Sequence, residues 1–219
     1  MSVELYLIHT GFLKEKEVFE RKLRQVSEGR RRKVEACRTG EDKLRSLAGG
    51  LLLEELLRQN FYSPDRLIQD EKGKLKLEGE DSFYFNLSHS GEYAACVIGE
   101  SPVGVDIQQY RPVKEGLAKR FFQIQEANHL KQVRGSAKQE LFFRYWSAKE
   151  SYIKLTGEGF QRNFNSFGIN LLENRVEDSK ETEREIYLKE YFCLPDYGIT
   201  AAAYENNFSH FVKKIIYKL

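Results

Sequence analysis

The order of elements along the chain most constrains its fold: short apolar, β-branched runs and longer amphipathic stretches alternate twice, with no linker between. Residues 3–9 alternate apolar and polar positions and read as a strand. Residues 15–27 and 41–60 read as helices; in the second, Leu44, Leu47, Ala48, Leu51 and Leu52 fall at helical spacing. Gly49 and Gly50 inside that helix each cost about 1 kcal/mol relative to alanine, which predicts close packing there, most simply of another helix. Runs at 83–87, 93–98 and 103–107 read as strands, with turns at 90–92 and 100–102. Helical patterns resume at 113–121, 125–133 and 138–155, and Gly157 and Gly159 stop the last of them. Residues 167–171, 185–192, 198–204 and 211–217 read as β, with a charged loop at 173–185. This order predicts an α+β protein of two similar lobes, although no repeat is visible in the residues themselves.

Composition fits that picture and excludes others. For 219 residues, a prior of roughly 150 residues per domain leaves one large domain or two small ones. Hydrophobic residues at 41% supply a core, and charged residues at 31% argue for a soluble surface. No apolar run approaches the roughly 20 residues of a membrane helix, and the N-terminus does not read as a secretory signal. A cytoplasmic protein without a membrane partner is expected. Cys37, Cys96 and Cys193 form no CxxC, which suggests neither zinc nor a disulfide framework. The net charge of +2 gives no general attraction for nucleic acid. Locally, however, Arg30, Arg31, Arg32 and Lys33 form a basic block, followed by Arg38, Lys43 and Arg45. Two readings stay open for it: a solvated helix face, or a phosphate-binding patch.

Three segments carry candidate chemistry. In the run WSAKES, Trp146 and Glu150, with Lys154 beyond, are spaced by four and share one helix face, while Lys149 lies about 100° around the axis. The bland alternative is an ordinary Glu–Lys helix pair. Asp106 sits in the apolar run VGVDI, where a carboxylate is costly unless paired, hydrogen-bonded or metal-bound; otherwise its face of the strand is wet. Asp106 and Glu150 together would suffice for Mg²⁺, which uses one or two carboxylates plus phosphates and water. Ser88 and His89 follow the strand FYFN near a turn, where the histidine either meets a phosphate or packs on Tyr84. GxSxG, P-loop and GxGxxG motifs are all absent.

Taken in order, FNLSHSG (85–91), VGVDIQ (103–108), KRFFQIQE (119–126) and FRYWSAKESYIKLTGEG (143–159), with EDKLRSLAGGLLL before them, resemble a phosphopantetheinyl transferase of the larger, Sfp-type class. The resemblance covers most of the chain. It implies a monomer of two α/β lobes, 1–104 and 105–219, related by a pseudo-twofold, with coenzyme A in the cleft between them. It implies transfer of 4′-phosphopantetheine to a serine of an apo carrier protein of fatty-acid, polyketide or nonribosomal-peptide type, with release of 3′,5′-ADP. Asp106 and Glu150 match metal positions for Mg²⁺, with Mn²⁺ as an alternative. Lys149, Lys154, Ser88 and His89 match phosphate-contacting positions. Arg30 and Lys33 match residues reaching the 3′-phosphate, and Arg45 matches a position near the adenosine. Glu150, with Glu126 as competitor, would be the base, and the region 121–129 would face the carrier.

Two positions depart from the family pattern. Gln108 stands where many members carry a third metal carboxylate, so it would bind the metal weakly or through water. Gly73, Lys74 and Leu75 stand where relatives often have Gly-Lys-Pro. The competing readings are a coenzyme A or carrier-binding module with impaired catalysis, and a nucleic-acid-binding protein using the basic block.

Overall fold

Period-two alternation in β1 (Val3–His9) sends Val3, Leu5 and Leu7 to one face and Tyr6 and Ile8 to the other, and both faces are buried. The computed structural model describes residues 2–71, 73–159, 162–180 and 184–216. Residues 181–183 of the expected charged loop and Tyr217 at the end of the last expected strand lie outside them. After β1 come α1 (Lys16–Leu23), α2 (Glu28–Glu35) and α3 (Gly40–Gln59), then a hairpin of β2 (Leu67–Gln69) and β3 (Leu75–Leu77). Next are β4 (Tyr84–Ser90), β5 (Tyr93–Gly99) and β6 (Val103–Gln109), followed by α4 (Leu117–Phe121), α5 (Ile124–Gln132) and α6 (Gly135–Thr156). The chain ends with β7 (Gly168–Asn170), β8 (Arg175–Glu177), β9 (Tyr187–Glu190), β10 (Tyr197–Ala203) and β11 (Phe208–Ile215).

Two larger sheets result, in the orders β11-β1-β5-β4 and β6-β10-β9-β8-β7. Leu5, Leu7 and Val97 of the first meet Val105, Ile107, Ile199 and Ala201 of the second in one core cluster between the sheets. α3 covers the outer face of the first sheet, where Leu47, Leu52 and Leu56 pack with Tyr6, Ile8, Ala94 and Cys96. α6 covers the outer face of the second, where Tyr145, Ala148 and Tyr152 pack with Leu188 and Ala202. The fold is therefore α+β, with each lobe a long helix laid on a sheet. β11 pairs parallel to β1, so the sheet begun at residue 3 is completed by the last strand of the chain.

Glycines set how close the helices come. A Cβ on Gly104 of β6 would lie 2.6 Å from the Leu155 amide nitrogen of α6, and one on Gly198 of β10 would lie 2.9 Å from the Phe143 carbonyl. Their absence lets the α6 backbone settle onto both strands. Ser147 of α6 and Thr200 of β10 complete that contact through hydroxyls 2.9 Å apart. In α3, Gly49 faces the Ala94 methyl across 3.8 Å, while a Cβ on Gly50 would collide with the Arg30 stem of α2. Strand packing and one side chain of a neighbouring helix thus account for the glycine pair.

The structure adds the β2–β3 hairpin, which was not expected from the sequence, and differs from the expectations in further places. The helix expected over 15–27 is α1 alone, because Ser27 starts a second helix by accepting from the Arg30 amide at 3.4 Å. The basic block is therefore on α2. The helix expected over 113–121 shortens to α4, since Gly116 sits in the left-handed region at φ 84°. β8 lies within the expected charged loop. β4 runs to Ser90, so Ser88 and His89 lie within a strand, and the turn falls at Gly91, with φ 54°. Gly157 ends α6 as expected, at φ 69° with its amide donating to the Ile153 carbonyl.

Candidate active site

The close approach of β6 to α6 brings the expected carboxylates together. Asp106, only 1% exposed, projects from the β6 face that α6 covers. Its face of the strand is roofed by a helix, so the wet alternative does not hold. Asp106 Oδ1 accepts from Ser88 Oγ at 2.7 Å and from Lys154 Nζ at 2.6 Å, while Oδ2 accepts from Gln108 Nε2 at 2.9 Å. Lys154 Nζ also donates to Ser88 Oγ at 2.9 Å and to the Val105 carbonyl at 3.1 Å. Ser88 thereby donates once and, with the Ile107 amide at 3.3 Å, accepts twice, which uses the full capacity of a hydroxyl.

Glu150 stands one turn before Lys154 on α6. Burial, aided by the nearby Asp106 charge and opposed by Lys154, pushes its carboxyl up to about 7. Among the described residues no side chain or amide is hydrogen-bonded to it. Glu150, Lys154 and Trp146 line one recess of about 690 Å³, with Phe121, Phe164 and Leu87 as apolar wall. The indole of Trp146 packs 5.4 Å from Phe121 and 5.0 Å from Phe164, centroid to centroid. The spacing of four did place Trp146, Glu150 and Lys154 on one face.

Lys149 and Glu126 require a correction. Lys149 is fully buried, and its ammonium donates to the Phe164 and Phe167 carbonyls at 2.8 and 2.6 Å while pairing with Glu126 Oε1 at 3.0 Å. It also lies 4.4 Å from the centroid of the Phe167 ring. Burial lowers the Lys149 pKa to about 8 and raises that of Glu126, against the pull of each on the other. The Glu126 carboxylate is spent on the Ile169 and Gln123 amides, both at 2.8 Å. Enclosed on all sides, this pair ties α5 and α6 to the start of β7. It offers neither a phosphate contact nor a base to the recess.

The remaining candidate residues lie on the first lobe. His89, on β4, keeps an exposed edge, and partial desolvation with the Arg45 and Lys154 charges holds its imidazole below the usual range. Arg45 reaches the Gly91 carbonyl at 3.2 Å from α3 while paired with Asp42 at 2.7 Å. Arg30 is buried against α3, whereas Lys33 is exposed; the two border a separate recess of about 540 Å³ beside β2. Although Lys33 is exposed, partial desolvation by its neighbours and then the Arg30 charge lower its pKa.

Three contributors were missed in the sequence. Asn86 accepts from the Val105 amide at 2.9 Å; its signal was its place two residues before Ser88 on the same strand face. Gly104 carried the ordinary mark of a strand glycine, close backbone approach. Lys74 donates to the Lys154 and Leu155 carbonyls at 2.7 and 3.3 Å, capping α6 from the β2–β3 hairpin; the sequence marked it only as part of the stretch that departs from Gly-Lys-Pro, not as a partner of α6.

Among the described residues no group of three or more His, Cys, Asp or Glu side chains could hold a metal ion. Asp106 and Glu150 nevertheless fit a hard cation that takes two carboxylates and completes its shell with substrate oxygens. The Asp106 repulsion, which adds to burial in raising Glu150, is what such a cation would relieve. Gln108 turns its amide nitrogen toward Asp106, and only its oxygen could serve as a weak ligand. No helix of the described residues is long and apolar enough to cross a membrane.

A family model described as the 4′-phosphopantetheinyl transferase superfamily matches residues 102–202, which contain Asp106, Gln108, Glu126, Lys149, Glu150 and Lys154. A 4′-phosphopantetheinyl transferase of Bacillus subtilis is 30% identical over 158 residues, covering 71% of this chain and 70% of that protein. The 4′-phosphopantetheinyl transferase Sfp of Bacillus subtilis strain 168 is 27% identical over 221 residues, covering 99% of both. The 4′-phosphopantetheinyl transferase psf-1 of Bacillus pumilus is 34% identical over 152 residues, 68% of this chain and 65% of its own length.

Proposed function

This chain belongs to the 4′-phosphopantetheinyl transferase superfamily, and from that premise we infer that it transfers 4′-phosphopantetheine from coenzyme A to a serine hydroxyl of an apo carrier protein. The observation that carries the reading is that Glu150 and Lys154 line a recess with an apolar wall while Lys154 is paired with the buried Asp106 behind it. In the reaction the serine Oγ forms a bond to the phosphorus nearer the pantetheine, the bond from that phosphorus to the bridging oxygen breaks, and 3′,5′-ADP leaves. The serine proton needs an acceptor within hydrogen-bond reach. Glu150 suits that role: its carboxyl titrates near 7 and faces the recess. Glu126, spent on backbone amides and Lys149, does not.

Lys154 holds positive charge beside the pyrophosphate position and is paired with Asp106 Oδ1 at 2.6 Å. Asp106 and Glu150 would hold a Mg²⁺ ion, with Mn²⁺ as alternative and Gln108 at the edge of the shell; when bound, the ion supplies charge neutralisation on the pyrophosphate. Lys33, Arg45 and His89 supply the cationic and polar surface for the 3′-phosphate and adenosine, with Arg30 bracing α2 beneath Lys33. Both walls of the cleft come from one chain, which supports a monomeric enzyme. The partner is a carrier of the fatty-acid, polyketide or nonribosomal-peptide kind.

The test is incubation with coenzyme A, Mg²⁺ and a panel of apo carriers, followed by intact mass. A gain of one phosphopantetheine on at least one carrier is expected. No gain on any carrier, with folded protein and with both Mg²⁺ and Mn²⁺ tried, overturns the reading.

A further inference from the structure

One seam joins the two sheets without a backbone ladder. β4 closes the first sheet and β6 opens the second. Across the seam the Val105 amide donates to Asn86 Oδ1 at 2.9 Å, the Ile107 amide to Ser88 Oγ at 3.3 Å, and the Gln109 amide to Ser90 Oγ at 3.0 Å. Each donor lies 19 residues after its acceptor. Side chains at every second strand position share one face, so residues 86, 88 and 90 present three acceptors in a row to three alternate N–H groups of β6. Those N–H groups belong to a strand edge facing another element, where an unpaired donor is costly. Apolar residues at 86 and 90 would leave two of them without a partner.

Ser88 belongs to the carboxylate cluster; Asn86 and Ser90 bond only to the backbone on either side of it. We propose that Asn86 and Ser90 are positioning residues for phosphopantetheine transfer, holding β6 in register on β4 so that Asp106 stands correctly against substrate bound on the first lobe. The proposal rests on the transferase reading above. In that reading the groups that hold coenzyme A come from α2, α3 and β4, whereas Asp106, Glu150 and Lys154 come from β6 and α6. The side-chain ladder is the joint between the two sets. A slip at this joint would leave coenzyme A binding intact and spoil the alignment of the reacting groups, and a displacement of about 1 Å can cost on the order of 100-fold in rate.

The test uses Asn86→Ala, Ser90→Ala and the double variant, with Ser90→Thr as the rescue because it keeps a hydroxyl acceptor on a residue suited to strands. Three quantities are read: amide hydrogen exchange at Val105 and Gln109, coenzyme A affinity by calorimetry, and the single-turnover rate of carrier modification per folded molecule. Asn86→Ala should speed exchange at Val105, and Ser90→Ala at Gln109. The double variant should slow transfer by roughly 10- to 100-fold with coenzyme A affinity unchanged, and Ser90→Thr should restore exchange protection and rate at its position. Faster exchange with an unchanged transfer rate overturns the proposal, as does unchanged exchange in the alanine variants. So does a parallel loss of affinity and rate, which is the mark of general damage; should the double variant fail to fold, the single variants decide. Wild-type protein that modifies no carrier sinks the transferase reading and this proposal together, whereas any of the other contrary outcomes beside an active wild type sinks this proposal alone.

Discussion

Glu150 is raised to about 7 by burial first and by Asp106 second, with Lys154 pulling the other way. Its folded-state value therefore lies above the ordinary 4.5, and between the two the native state binds more protons than the unfolded chain. The contribution of this group to stability is fully present below the ordinary value and is lost as pH rises through about 7. Denaturant midpoints measured across that window should show a falling component in the wild type that Glu150→Gln removes; an identical pH dependence in both would contradict the assignment. Lys149 behaves differently, because its ammonium is enclosed with Glu126 and two carbonyls. Lys149→Met leaves Glu126 buried without its cation and should cost about 3–5 kcal/mol in urea unfolding. A near-neutral variant with lowered coenzyme A affinity would instead return Lys149 to the phosphate site. At this scale Asp106 was legible as a candidate, since a carboxylate amid Val103, Val105 and Ile107 is costly unless paired or ligating, with a wet strand face as the open alternative. The inward turn of Lys149 was not. Its buried neighbours Tyr145, Tyr152 and Ile153 mark its face of α6 only once α5 and β7 are known to close over it.

The long elements could be read because each has a buried face and enough length to show its period. α3 and α6 carry apolar positions three and four apart, and β5 and β6 are buried on both faces, which gives their near-continuous apolar runs. α2 was hidden because eight residues, Glu28–Glu35, are almost all charged, with Val34 as the one buried apolar side chain. β2, β3 and β8 have three residues each, too few to show alternation. The element contact on which the site depends most is that of α6 with β6. Gly104→Ala places a methyl against the Leu155 amide nitrogen, itself part of the rigid helix backbone. Overpacking of this kind typically costs about 1–3 kcal/mol, and the shift must be taken up where Glu150 and Lys154 meet Asp106. Thermal unfolding and transfer rate should therefore fall together in Gly104→Ala; an unchanged melting temperature would mean that the helix has room to move.

At the scale of the whole molecule, the chain stacks α3, two sheets and α6 in four layers and places Asp106, Glu150 and Lys154 near the meeting of the β4 and β6 edges. The two-lobed α+β order was visible in the succession of strand and helix signals. The pairing of β11 with β1 was not, because it joins residues about as far apart as the chain allows, and no local pattern encodes it. The same holds for the β4–β6 seam, whose side-chain ladder requires both sheets to exist first. In the proposed function one lobe holds coenzyme A and the other supplies Asp106, Glu150 and Lys154. The division of labour is tested most directly by comparing wild type with Glu150→Gln: coenzyme A affinity by calorimetry, and intact mass of an apo carrier after incubation with coenzyme A and Mg²⁺. Both proteins are expected to bind coenzyme A, and only the wild type to add phosphopantetheine to the carrier. A Glu150→Gln variant that modifies the carrier at a rate near that of the wild type would contradict that expectation.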